Sequence, residues 1–193
     1  MRRVASELGT GAGALYWHVA NREELLLLAF DRVVDGVRLP EPDPGRWKDQ
    51  LREVGWEMLR VMRAHRGIAQ ISLGRIPVGP NLVRFAEWLL ALLRGAGIPD
   101  RAAALAGDLL GLYVGAFAYE ESLGMASPDG RDRPVEEVVA MIGGYFASLP
   151  PERFPNITAL TGELMSGGPD ERFAFGLDVL IEGLAAQREP SSG

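Results

Sequence analysis

Tyr16, Trp17 and His18 stand side by side, with Arg22 four residues beyond the histidine and Arg2 near the start of the chain. Two hydrogen-bonding aromatics, an imidazole and two guanidinium groups suit contact with a sugar-phosphate backbone, where side-chain donors and cations fix position. The residues ahead of them, Thr10-Gly11-Ala12-Gly13-Ala14, carry almost no side chain. Gly9, Gly11 and Gly13 invite comparison with a phosphate loop. A dinucleotide fingerprint, however, needs G-x-G-x-x-G after a strand. Here the spacing is G-x-G-x-G, the preceding "RRVASEL" is helical in pattern, and no Walker lysine follows. Metal chemistry is poorly served as well. The chain has no cysteine and two histidines, His18 and His65, so no metal site and no cofactor are expected. No nucleophile–base pair or carboxylate pair stands at chemical spacing, and an enzyme is not expected.

The elements that position these residues read as helix, tight turn, helix. Val4, Ala5 and Leu8 form a short apolar stripe closed by Gly9, and Ala12 to His18 supply a second short helix. Such a pair is the core of a helix-turn-helix, whose second helix enters the major groove. Leu15 and Val19 share one face, and adjacent helical residues cannot all point the same way. At least one of Tyr16, Trp17 and His18 is therefore expected at the surface. Nucleic-acid contact and a plug for a small core both remain open on this reading. Asn21 with Glu24 three residues on makes a capping-box pair opening a helix over 22–38. Its run Leu25 to Leu28 with Phe30, Val33 and Val34 implies packing on more than one side.

Helical periodicity continues through the rest of the chain, so the fold class expected is all-α. "LPEPDPG" (39–45) marks a break, dividing an N-terminal region 1–38 from a C-terminal region 39–193. Helices are expected at 46–65, after "GRIPVGPN" (74–81), near 100–123, and near 135–148, 157–165 and 169–187. The segment 102–119 is nearly uncharged and long enough to raise a membrane question. Asp108 interrupts it, Glu120-Glu121 follow, and no cationic flank anchors it, so core or subunit interface is expected and no membrane. Gly107, Gly111 and Gly115 form a stripe along it that would admit another helix closely. His65, at a helix end between Arg63 and Arg66, is expected to cap rather than to bind a ligand. Net charge is −6, yet residues 1–22 carry three arginines against one glutamate, a basic tip on an acidic body. The start lacks the continuous apolar stretch of a signal peptide, and the chain reads as cytoplasmic.

"VASELGTGAGALYWHVANREELLLLAFDRVV" (4–34) resembles the DNA-binding end of TetR-family transcriptional regulators, and "LYWHV-N" is similar to the tetracycline-repressor branch. "LGRIPVGPN" and "FAFGLDVLIEGL" (173–184) resemble that branch's ligand-side turn and last, dimer-forming helix. The resemblance implies double-stranded operator DNA as a partner, contacted by Arg2, Thr10, Gly11, Ala12, Gly13, Ala14, Tyr16, Trp17, His18 and Arg22. Gly11 to Ala14 stand where the branch reads base edges but carry no polar side-chain atoms, so readout would rest on methyl contacts and DNA shape. The branch holds a magnesium–drug complex with histidines. Ile71 or Ser72 stands at one such place and 100–123 has none, so a tetracycline–magnesium effector is rejected.

The family's DNA-binding region opens with a helix that would precede residue 1, so an incomplete helix-turn-helix is expected. The competing expectation is a dimeric small-molecule-binding module without DNA binding. On the first reading the protein is a homodimeric repressor released by a small-molecule effector. Its pocket would be drawn from Trp56, Met62, Gln70, Arg75, Asn81, Phe85, Trp88, Tyr113 and Glu120. Helices near 100–123 and 169–187 would form the dimer, burying Leu109, Leu112, Phe117, Phe175, Leu177 and Leu180 in fold and interface.

Overall fold

The first two helices are short and begin without a side-chain cap. In the computed structural model, which describes residues 1–65, 67–73, 79–124 and 133–188, α1 spans Arg2–Glu7 and α2 Ala12–Leu15. Gly9 between them takes φ +64°, the left-handed backbone that favours glycine at a helix end. The second helix is shorter than the 12–18 expected. Tyr16, Trp17 and His18 lie in i→i+3 turns, their amides bonded to the carbonyls of Gly13, Ala14 and Leu15.

Helix α3, Arg22–Val34, opens on the forecast Asn21 cap, with Glu24 reaching back one residue beyond the cap amide of a full capping box. The Glu24 amide donates to Asn21 Oδ1 at 2.9 Å, and the Glu24 carboxylate accepts from the Ala20 amide at 2.5 Å. The helix ends four residues before the expected 38, because the amides of Gly36 and Val37 close i→i+3 turns on Val33 and Val34. Its burial also departs from expectation. Phe30, Asp31 and Val34 are buried, while Leu25 to Leu27 are half-buried and Leu28 is exposed. Within the chain α3 packs along one face of its C-terminal half.

The proline-rich break is stitched to the body. Buried Gln50 accepts from the Asp43 amide and donates to the Glu41 carbonyl, both at 2.8 Å, and Trp88 Nε1 donates to the Pro40 carbonyl at 2.6 Å. A 3-10 turn at Pro44–Arg46 leads into α4, Trp47–Ala64, whose apolar face is buried through Leu51, Val54, Met58, Leu59 and Met62. His65 ends it, with Nδ1 2.8 Å from the Val61 carbonyl, a last-turn capping contact.

Helix α5, Ile68–Ser72, was not foreseen: five residues are too short to show a period. α6 spans Pro80–Gly95 and α7 Asp100–Leu123. The expected helix at 157–165 is two, because Leu160 leaves helical geometry and links α9 (Pro155–Ala159) to α10 (Thr161–Met165). α8, Val135–Ala147, packs on both, and α11, Pro169–Ala185, is the last helix described.

α7 is the axis of the body. It is long and apolar enough to pass a length test for a membrane span, but here α4, α5, α6 and α11 surround its buried face of Ala103, Ala106, Leu110, Val114, Phe117 and Ala118. Gly115 lets α5 come close, since a Cβ there would lie 2.6 Å from Ser72 Oγ. Phe173 of α11 is fully buried between Trp56, Tyr113 and Phe117, with ring centroids 4.7, 5.5 and 5.1 Å away. Of the residues expected to be buried in this region, Phe117 and Leu177 are, and Leu180 is half-buried. Leu109, Leu112 and Phe175 are exposed on the single chain.

Candidate functional site at an aromatic helix end and an apolar cavity

The N-terminal unit buries little: Ala5, Leu15 and Val19 form its core. With Leu15 and Val19 on the inner face, the neighbouring side chains turn outward. Trp17 is 88% exposed and Tyr16 53%, and His18 is exposed beside them. All three are at the surface, so none plugs the small core. Arg2 and Arg22 are exposed at the first positions of α1 and α3, with Arg22 3.6 Å from the Glu23 carboxylate. Thr10 and Ala14 are exposed, and a Cβ on Gly11 or Gly13 would meet nothing within 4 Å. Packing within the chain therefore does not demand small residues there. Ala12 opens α2. The arrangement is a ridge of donors and cations beside a smooth helix tip, with the amino end of α3 adding a positive dipole.

A cavity of about 730 Å³ opens between α6 and α7 and reaches α3 and α4. Its walls include Phe30, Leu51, Met58, Phe85, Trp88 and Leu110. Among the described residues its polar side chains are Ser72, whose hydroxyl donates to the Ala69 carbonyl, and Asp108, the single charged group. Such a lining suits a largely apolar small molecule with few polar anchors.

Three of the residues expected at a pocket line this cavity: Met62, Phe85 and Trp88. Trp56 and Tyr113 pack on Phe173 instead, and the Tyr113 hydroxyl donates to the Phe173 carbonyl at 2.8 Å. Burial raises the Tyr113 phenol, partly offset by the Arg172 charge. Tyr113 and Glu120 border a smaller hollow of about 300 Å³ against α11. Gln70 is exposed, Asn81 is bonded to Asp31, and Arg75 lies outside the described residues. Sequence reasoning missed Phe30, Leu51, Ser72, Asp108 and the glycines. Gly107, against Leu89 of α6, and Gly111, which faces open space, both border the cavity, so the small-residue stripe was its available signal.

Arg63 clamps three helices together. It donates to both Glu121 carboxylate oxygens at 2.8 and 2.7 Å and to Asp170 at 2.6 Å, joining α4, α7 and α11. The Glu121 hydrogen bonds, with Asp170 behind them, hold its guanidinium charge more firmly than usual.

Residues 39–188 match the family described as "Tetracyclin repressor-like, C-terminal domain". A transcriptional regulator of Saccharopolyspora erythraea is 30% identical over 96% of this chain and 75% of its own length. The transcriptional repressor DrrR1 of Streptomyces coeruleorubidus is 31% identical over the whole chain and 73% of its own length. The structure of the TetR-family protein ActR of Streptomyces coelicolor with actinorhodin superposes with a TM-score of 0.86 at 43% identity, covering 98% of this chain and 88% of that one. The all-α architecture, the exposed helix end and the cavity thus agree with these likenesses, and the chain belongs to the TetR family of ligand-responsive, DNA-binding transcriptional regulators.

Proposed function

We propose that the protein is a cytoplasmic, homodimeric repressor that leaves its operator when a small apolar molecule fills the cavity between α6 and α7. Residues 1–38 contact DNA, and residues 39–193 bind the effector and the second copy. The observation that carries the DNA assignment is the exposure of Trp17, beside exposed Tyr16 and His18, on a unit whose small core is already filled by Ala5, Leu15 and Val19. Tyr16, Trp17, His18, Arg2 and Arg22 grip the sugar-phosphate backbone, while Thr10 to Ala14 approach base edges and read methyl groups and groove shape.

Dimer formation is supported by an apolar face that α7 and α11 leave open: Leu105, Leu109, Leu112, Phe175 and Val179. A two-fold dimer presents two such helix ends to half-sites about 34 Å apart, and a change in their separation lowers operator affinity. The cavity's size and lining support a polycyclic, mostly uncharged effector, with Asp108 as a polar anchor. Actinorhodin, bound by ActR, is the first compound to try.

The test is selection of a duplex from a random pool, followed by affinity measurements at fixed salt for the native chain and for Y16A/W17A/R22A. The native chain is expected to select a two-fold symmetric site. The triple variant, which removes backbone contacts, is expected to bind every duplex more weakly by a similar factor and to show a shallower salt dependence. Unchanged affinity in the triple variant contradicts the assignment.

A further inference from the structure

Helix α6 begins without a cap of its own. Its N-cap residue is Gly79, which has no side chain to offer the orphan amides of the first turn. The cap comes from α3 instead. Asp31 is 6% exposed, and its Oδ1 accepts from the amides of Asn81 at 3.1 Å and Leu82 at 3.0 Å, while Oδ2 accepts from Asn81 Nδ2 at 2.9 Å. A side chain at position 79 would overlap the Asp31 carboxylate, so glycine is what lets the borrowed cap fit. A negative charge at a helix amino end is favourable, and the pair is held away from water.

Three neighbours of this joint line the cavity. Phe30, next to Asp31, is part of the wall, as are Leu82 and Val83 in the first turn of α6. A looser tie, Arg84 to Asp35 at 3.8 Å, runs between the same two helices. Asp31 sits near the C-terminal end of α3, and the opposite end carries Asn21, Arg22 and the aromatic ridge.

We infer that Asp31 is the positioning residue that couples the cavity to the DNA-contacting end, by making the cap of cavity helix α6 depend on where α3 stands. This inference rests on the cavity being the effector site. A molecule that displaces the start of α6 drags the carboxylate, and α3 swings as a rigid rod of about 20 Å (thirteen residues at ~1.5 Å each). Without the carboxylate only side-chain packing and the loose Arg84–Asp35 tie join the two helices.

The test needs no operator. The chain has no cysteine, so A20C/R101C places two spin labels, one before α3 and one at the start of α7. Labelled chain is diluted with unlabelled chain and the intrachain distance is read by pulsed electron resonance. The cavity is occupied in two ways, by actinorhodin and by Gly107→Phe, whose ring would grow past Leu89 into the space. In the native background at least one occupant is expected to shift the distance by about 2 Å, the scale of helix displacements in switching proteins. In D31A, which leaves the amides of Asn81 and Leu82 without their acceptor, the shift is expected to vanish. In D31A/N81D a carboxylate is again present at the first turn of α6 but carried by α6 itself. Its melting temperature should exceed that of D31A while the shift stays absent, which separates transmission from simple stability. An equal shift with and without Asp31 overturns the inference, and so does a native distance that neither occupant moves. Failure of DNA binding with the distance response intact would count against the operator reading alone.

Discussion

Asn21, Phe173 and Glu57 show how much single side chains decide. Asn21 satisfies the Glu24 amide at the start of the helix that carries Arg22. Asn21→Ala is expected to cost about 1 kcal/mol, read from urea unfolding, with DNA affinity falling alongside as the end of α3 frays. Phe173 fills the space between α4, α7 and α11. Phe173→Ala is expected to cost about 3–5 kcal/mol by the same measurement, while the exposed Trp17 keeps its fluorescence. The Glu57 carboxyl is held below the usual carboxylate range, first by its hydrogen bond from Arg60 and then by Arg38. A depressed folded-state value stabilises the fold above the ordinary carboxylate range and is lost as pH falls through the depressed value. In E57Q the decline in stability on acidification below about pH 4.5 is therefore expected to be shallower. An unchanged slope would show that the Arg38–Glu57–Arg60 cluster adds nothing to stability.

Helices are where the sequence was most readable, and the exceptions have physical causes. α7 was legible because Pro99-Asp100 opens it, Gly124 closes it and a long apolar run lies between. The Asn21–Glu24 pair was legible because both partners lie within one turn. α5 was not, since five residues carry no period and tertiary contact with α7 holds them in place. The Asp31 cap was invisible for a different reason: its partners lie fifty residues further on, and Asp31 within α3 looks like any surface acid. The aromatic ridge was partly readable from Leu15 and Val19, because one buried face required at least one of Tyr16, Trp17 and His18 outside, and the structure exposes all three. The cavity was only partly readable, because Met62, Phe85 and Trp88 look the same whether they pack against neighbours or line a space. Gly115 gives a prediction at this scale. Gly115→Val forces Ser72 and α5 away from α7, and is expected to lower the melting temperature and raise amide hydrogen exchange in 68–72. Unaltered exchange there would mean that α5 is not held by this approach.

For the whole molecule the question is whether filling one space changes another surface some helices away. The exposed face of Leu105, Leu109, Leu112, Phe175 and Val179 is expected to hold the dimer, so L109E/F175E should sediment as a monomer and lose cooperative DNA binding. If the cavity and the DNA end are linked as proposed, the linkage is reciprocal: each ligand must weaken the other by the same factor. The direct measurement titrates the selected duplex at increasing actinorhodin, with quenching of Trp88 in the cavity wall reporting occupancy. DNA affinity is expected to fall at least about fivefold as the cavity fills, the lower end of ordinary coupling, and bound duplex is expected to weaken actinorhodin equally. A cavity seen to be filled while DNA affinity stays constant would contradict the linkage.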